Sequence, residues 1–202
     1  MSDSTGTLSW SETWSSWDSL GAWDEARAIW PLSSLDELKL AQRLVAFDRA
    51  RTDAERVAAQ RAILALGADA VPSVLAELSL PQPPDRSDVL LALLVKHECA
   101  DSVIQLARRP TCTRALRAAL ADALARHAAT ATSDGLRRRI AAALLALARD
   151  PDIGVRSTAI DAIGLAGITA DPAVKLLLEN TAEHDSDPDV RAEARAILNE
   201  SD

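Results

Sequence analysis

The feature that most constrains this chain of 202 residues is that it repeats itself. Arg56-Val-Ala-Ala-Gln-Arg-Ala-Ile63 returns as Arg156-Ser-Thr-Ala-Ile-Asp-Ala-Ile163, with Ala59 on Ala159 and Ala62 on Ala162. The register then runs on without a gap: Gly67 matches Gly167, Ala70 matches Ala170, Pro72 matches Pro172, Val74 matches Val174 and Leu78 matches Leu178. A second echo is shorter. Asp150-Pro151-Asp152 precedes Val155-Arg156, and Asp187-Pro188-Asp189 precedes Val190-Arg191. These Val-Arg pairs lie 35 residues apart, the length of one helical hairpin. A unit that short cannot bury its own apolar face, so it must stack on neighbours built the same way.

The units are helical. Hydrophobic residues make up 48% of the chain, aromatics only 3%, and most of the apolar content is Ala and Leu. Those two favour helices, whereas strands favour β-branched and aromatic side chains. Capping boxes at Ser34–Glu37 and Thr52–Glu55 open two helices. Pro72 fits a first helical turn, and Pro81-Gln82-Pro83-Pro84 breaks the chain. Further helices are predicted over 87–97, 100–108, 112–128, 134–149, 153–165, 172–183 and 188–198. In each repeat Asp before Pro is expected to cap a helix, and Gly67 and Gly167 to end one in the left-handed conformation. Short joins between helices of this length describe stacked antiparallel hairpins, an all-α solenoid.

The phrases ALGADAVPSVLAEL (65–78), DPDIGVRSTAIDAIGLAG (150–167) and DSDPDVRAEARAIL (185–198) resemble HEAT repeats, particularly their short bacterial form. The resemblance is clear over 53–80 and 150–199, weaker over 85–149, and absent from 1–33. It implies a superhelical stack whose concave face binds other proteins. Some members of that group bind nucleic acid, and others are glycosylases or chromophore lyases.

Residues 1–33 form a separate segment before the repeat domain at 34–202. All five tryptophans lie there, with a net charge of −4. Trp10, Trp14 and Trp17 share one helical face, behind a capping box at Ser9 and Glu12, and a second short helix is predicted from Trp23 to Trp30. The segment is expected either to cap the first hairpin or to dock a partner, since tryptophan is common at binding hot spots.

The net charge of −8 disfavours phosphate backbones and anionic membranes. Yet between residues 105 and 149 nine arginines face only Asp122 and Asp134. Arg108, Arg109, Arg114, Arg117, Arg137, Arg138 and Arg139 are the candidate anchors. They are expected to form one basic patch if the two long helices there make a hairpin, suited to an acidic protein or, as the alternative, to nucleic acid. The plainer alternative is that these arginines solvate helix faces.

No residue pattern points to catalysis. Cys99 and Cys112 have no metal spacing, and His97, His127 and His184 have no ligand partner at helical spacing. His97 is expected at a helix C-terminus. No phosphate loop or nucleophile elbow is present, so no cofactor and no enzyme activity are expected. A glycosylase would want tryptophans lining a basic cleft, and the repeat region has none. Without an apolar run long enough to span a bilayer or a signal peptide, a cytoplasmic protein is expected.

Overall fold

The structure, a computed structural model, describes residues 35–80, 83–109 and 112–201. The tryptophan segment, with its expected helices, and the Ser34 cap lie outside the described residues. Ten helices are present among the described residues: α1 (Leu35–Arg49), α2 (Asp53–Leu64), α3 (Val71–Leu78), α4 (Pro84–Lys96), α5 (Ala100–Ala107), α6 (Arg114–Thr130), α7 (Asp134–Leu147), α8 (Ile153–Ala166), α9 (Pro172–His184) and α10 (Pro188–Ser201). A single 3₁₀ turn, Ala68–Ala70, precedes α3. The fold is an all-α solenoid.

The helices stack in two layers. In the first, α2, α4, α6, α8 and α10 pack in chain order, each against the next. Behind them, α3 packs on α4, α5 on α4 and α6, α7 on α6 and α8, and α9 on α10, while α1 covers α2. The core between the layers is aliphatic: Ile63, Leu90, Leu94, Leu120, Leu124, Ile140, Leu144 and Ile160 are fully buried. Buried alanines such as Ala121, Ala125, Ala159 and Ala162 let helix backbones come close.

Capping follows the sequence in most places. Thr52 and Glu55 form the expected reciprocal box. Thr113, Ser133, Asp152 and Asp171 each accept a backbone N–H from the first turn of their helices. Pro72, Pro172 and Pro188 take first-turn positions. His97 caps the end of α4, and its Nε2 lies 2.9 Å from the Leu66 carbonyl oxygen.

Two expectations are corrected. Gly167 ends α8 with φ +61°, as the register suggests, but Gly67 has φ −78° and ψ 176°. Its helix has already ended at Ala65, so no left-handed residue is needed there. The left-handed position falls instead on Glu98, φ +56°, after α4. There the Glu98 N–H donates to Val95 and the Cys99 N–H to Leu94, a Schellman closure. The two Asp-Pro-Asp triplets also do not superpose. Asp152 caps α8 while Pro151 stays outside it, so Asp152 corresponds to Asp187 and Asp150 to Asp185.

That shift explains what the repeated arginines do. Arg156, near the start of α8, donates two hydrogen bonds of 2.9 Å to Asp185, just before α10. Arg117 does the same from α6 to Asp150, at 2.6 and 2.9 Å. Arg56 of α2 pairs with Asp85 of α4. Each rung joins the starts of two neighbouring first-layer helices, which therefore run parallel. Arg156 and Asp185 are 13% and 10% exposed, against 47% and 65% for Arg56 and Asp85, so the more buried rung carries the stronger pair. The hydrogen bonds from Arg156 hold the Asp185 carboxyl below its ordinary range. At Asp150 burial pushes upward, and the bonds from Arg117 and the Asp152 N–H outweigh it.

Candidate interaction surfaces

Helices α6 and α7 form the expected hairpin, joined by three residues, and for that reason divide the arginine run. Helix α6 is 17 residues long, about 25 Å at the rise of an α-helix. Arg108, Arg109, Arg114, Arg117 and Arg149 lie toward one end of the pair, and Arg126, Arg137, Arg138 and Arg139 toward the other. The antiparallel course is tied down by Arg117, at the start of α6, reaching Asp150 just beyond α7.

Several of these side chains are engaged inside the protein. Arg117 belongs to the ladder and is 22% exposed. Arg114 lies 3.5 Å from Asp152, Arg139 lies 2.6 Å from Asp101, and Arg109 donates to the Ser79 hydroxyl at 2.7 Å. Arg137 and Arg138 donate to the carbonyls of Ala131 and Asp134. The cationic segment of the sequence ends one residue before Asp150, and the fold brings Asp150 and Asp152 back against it. Arg114 is 75% exposed, and Arg108 and Arg138 are exposed as well.

A different face is more continuous. Each of α4, α6, α8 and α10 places a carboxylate on the open side of the first layer: Asp88, Asp122, Asp161 and Glu193. In α8 the buried stripe is Val155, Ala159, Ile160, Ala162 and Ile163, which leaves Asp161 on the opposite side of the helix. The four are neighbours in space. Asp122 feels Asp88 on one side and Asp161 on the other, and Asp161 shares a hydrogen bond with Glu193. One turn further along each helix stands a second row, Ala92, Arg126, Leu165 and Ile197. Leu165 is 76% exposed, while Ala92 and Ile197 are half-buried. The row is low at Ala92, whose side chain is a single methyl, rises at Leu165, and at Ile197 packs back against the core. Gly164 lets α10 approach α8 here, since a Cβ on it would meet Ile197 at 3.2 Å.

The carboxylates touch solvent, yet protein stands around them. Burial raises Asp88 and Asp122 above the ordinary carboxylate range, against the pull of Arg126. Glu193 is pushed up to about 7, first by burial and then by its hydrogen bond and charge repulsion with Asp161, while the Ser157 hydroxyl donates to it at 3.0 Å. Sequence reasoning missed this face. Its members are 32 to 39 residues apart, and the signal lies in the outward position of each first-layer helix. In three of the four, the acid is followed four residues later by an apolar residue, Ala92, Leu165 or Ile197.

The described helices include none long and apolar enough to cross a membrane. No family model matches the chain, and no curated protein matches it. Among solved structures it is similar to a chain from the complex of CpcE and CpcF of phycocyanin lyase from Nostoc sp. PCC7120. Identity is 18% and the TM-score 0.58, over 80% of this chain and 98% of that one. The likeness is one of fold, a HEAT-like array of helical repeats.

Proposed function

We propose that the chain is a non-catalytic scaffold of the HEAT-repeat type that recognises a protein partner through the open face of its first layer. The observation that carries this is the pair of side-chain rows across α4, α6, α8 and α10. Charged and apolar groups are ordered there from helix to helix, whereas most of the arginine run is engaged within the fold. A stack of this kind offers an extended surface to which every unit contributes. The similarity to a chain of a two-protein complex supports the scaffold, and supports equally a second reading in which the chain assists an enzyme as one member of a complex.

Crosslinking capture from the source cells tests the proposal with three chains: the wild type, a face variant (Asp122→Arg with Leu165→Glu) and an edge variant (Arg108→Ala, Arg114→Ala, Arg138→Ala). A protein captured by the wild type and the edge variant but lost by the face variant is the expected result. Loss with the edge variant alone would return recognition to the arginines. Capture of nucleic acid, released steeply by salt, would replace the scaffold with nucleic-acid binding.

A further inference from the structure

The two rows differ in chemistry in a way that specifies an occupant. We infer that the open face of α4, α6, α8 and α10 docks a basic amphipathic helix of a partner protein, its lysines or arginines over the carboxylate row and its apolar stripe over Ala92, Leu165 and Ile197. This rests on the scaffold proposal and adds the partner's chemistry to it.

The first argument is charge. Asp88, Asp122, Asp161 and Glu193 succeed one another across four helices, and Arg126 is the cation that acts on Asp88 and Asp122. Burial first, and neighbouring carboxylates second, make the negative charges of Asp88, Asp122 and Glu193 costly in the free protein, and a cation laid along the row reduces that cost. An acidic partner, or nucleic acid, would add to it.

The second argument is independent of charge. A solvated acidic face needs no ordered apolar groups, yet Leu165 stands 76% exposed beside half-buried Ile197, with Ala92 in the same row on α4. Because Ala92 offers only a methyl group, the apolar stripe of the partner is seated chiefly on α8 and α10. The small residue on α4 leaves room there for a bulkier side chain of the partner. The offset between rows is four residues in every helix, one turn or about 6 Å. A helix laid across the array can therefore set a polar stripe over one row and an apolar stripe over the other. Helix α2 does not continue the row, because the position in register with Asp161 is Arg61. The surface therefore begins at α4 and reaches α10.

The test uses the full chain and synthetic peptides. One peptide is an amphipathic helix with lysines beside a leucine stripe, and a second has the same composition in scrambled order. Binding is read by fluorescence anisotropy at about 0.15 M salt, where exposed charges are screened beyond about 8 Å. The carboxylate variant is Asp88→Asn with Asp122→Asn and Glu193→Gln. A control neutralises the same number of exposed acids elsewhere, Asp53→Asn with Asp69→Asn and Glu179→Gln. Circular dichroism confirms that each variant folds.

The ordered peptide is expected to bind the wild type and to lose about tenfold or more in affinity with the carboxylate variant, but no more than about twofold with the control, by the usual size of charge-pair effects at an interface. Leu165→Ser alone is expected to weaken binding about threefold, for the loss of one exposed apolar contact. Equal loss with the control variant, equal binding of the scrambled peptide, or no binding would each overturn the inference. In those cases a protein captured from cells through the same face would leave the scaffold proposal standing, which separates the two failures.

Discussion

His127 and Glu193 give the protein opposite responses to pH. His127 is 2% exposed, and its Nε2 has no hydrogen-bond partner among the described residues. Burial lowers its pKa below the usual 6.5, helped by Arg126 and opposed by Glu98. The folded protein thus holds it neutral, while the unfolded chain takes up a proton as pH falls below that value. Stability from this site is present above pH 6.5 and lost below it. His127→Met, which removes the unpartnered atom, is expected to shrink the fall in Tm between about pH 7.5 and about pH 5.5. Glu193 works the other way. Its pKa rises from 4.5 to about 7, so the folded state holds the proton more tightly and stability falls as pH rises across that window. Glu193→Gln is expected to raise Tm at about pH 8 and to leave it nearly unchanged near about pH 5. Both residues were visible in the sequence, but neither role was. A lone histidine or glutamate on a helix does not say which neighbours will surround it.

Helices and their starts were legible because caps, prolines and apolar periodicity are local signals. Ends and rungs were not, since the same letter does different work in different repeats. Gly67 and Gly167 share a register, yet only Gly167 is left-handed, and nothing lies within 4 Å of a Cβ on either. Gly167→Ala is therefore expected to cost about 1 kcal/mol in urea unfolding. Gly67→Ala is expected to be neutral or to gain up to about 1 kcal/mol through the unfolded chain. The ladder gives a parallel contrast. Arg156→Ala strands a carboxylate that is 10% exposed and is expected to cost about 3 kcal/mol. Arg56→Ala, whose partner Asp85 is 65% exposed, is expected to cost under about 1 kcal/mol. Urea unfolding of the four single variants checks both pairs.

For the whole molecule the repeat register was enough to name the architecture, because a period of hairpin length admits few folds. Function was harder to read. The arginine run is contiguous in sequence and drew attention, but α6 and α7 part it and the next repeat supplies Asp150 and Asp152 to oppose it. The carboxylate row is scattered in sequence and contiguous in space. Stability should also vary along the stack, since units at the ends have one neighbour and those in the middle two. Helix α6 packs against α4, α5, α7 and α8, whereas α10 packs against α8 and α9. Amide hydrogen exchange is expected to be slowest in α6 and faster toward α10, and uniform protection across α4 to α10 would show one all-or-none unit instead.

The spacing of the ladder has a consequence for how such a protein changes length. Arg56 meets Asp85 and Arg156 meets Asp185, each 29 residues on, and the two pairs are offset by 100 (156 − 56). A gene that duplicated residues 57–156 in tandem would join Arg156 to a second Val57 inside a helix already in phase. The same arginine would then find the second copy's Asp85, and both ends of the array would be untouched. Growth by whole units leaves no seam to repair, and every added unit lengthens the footprint available to whatever lies along it.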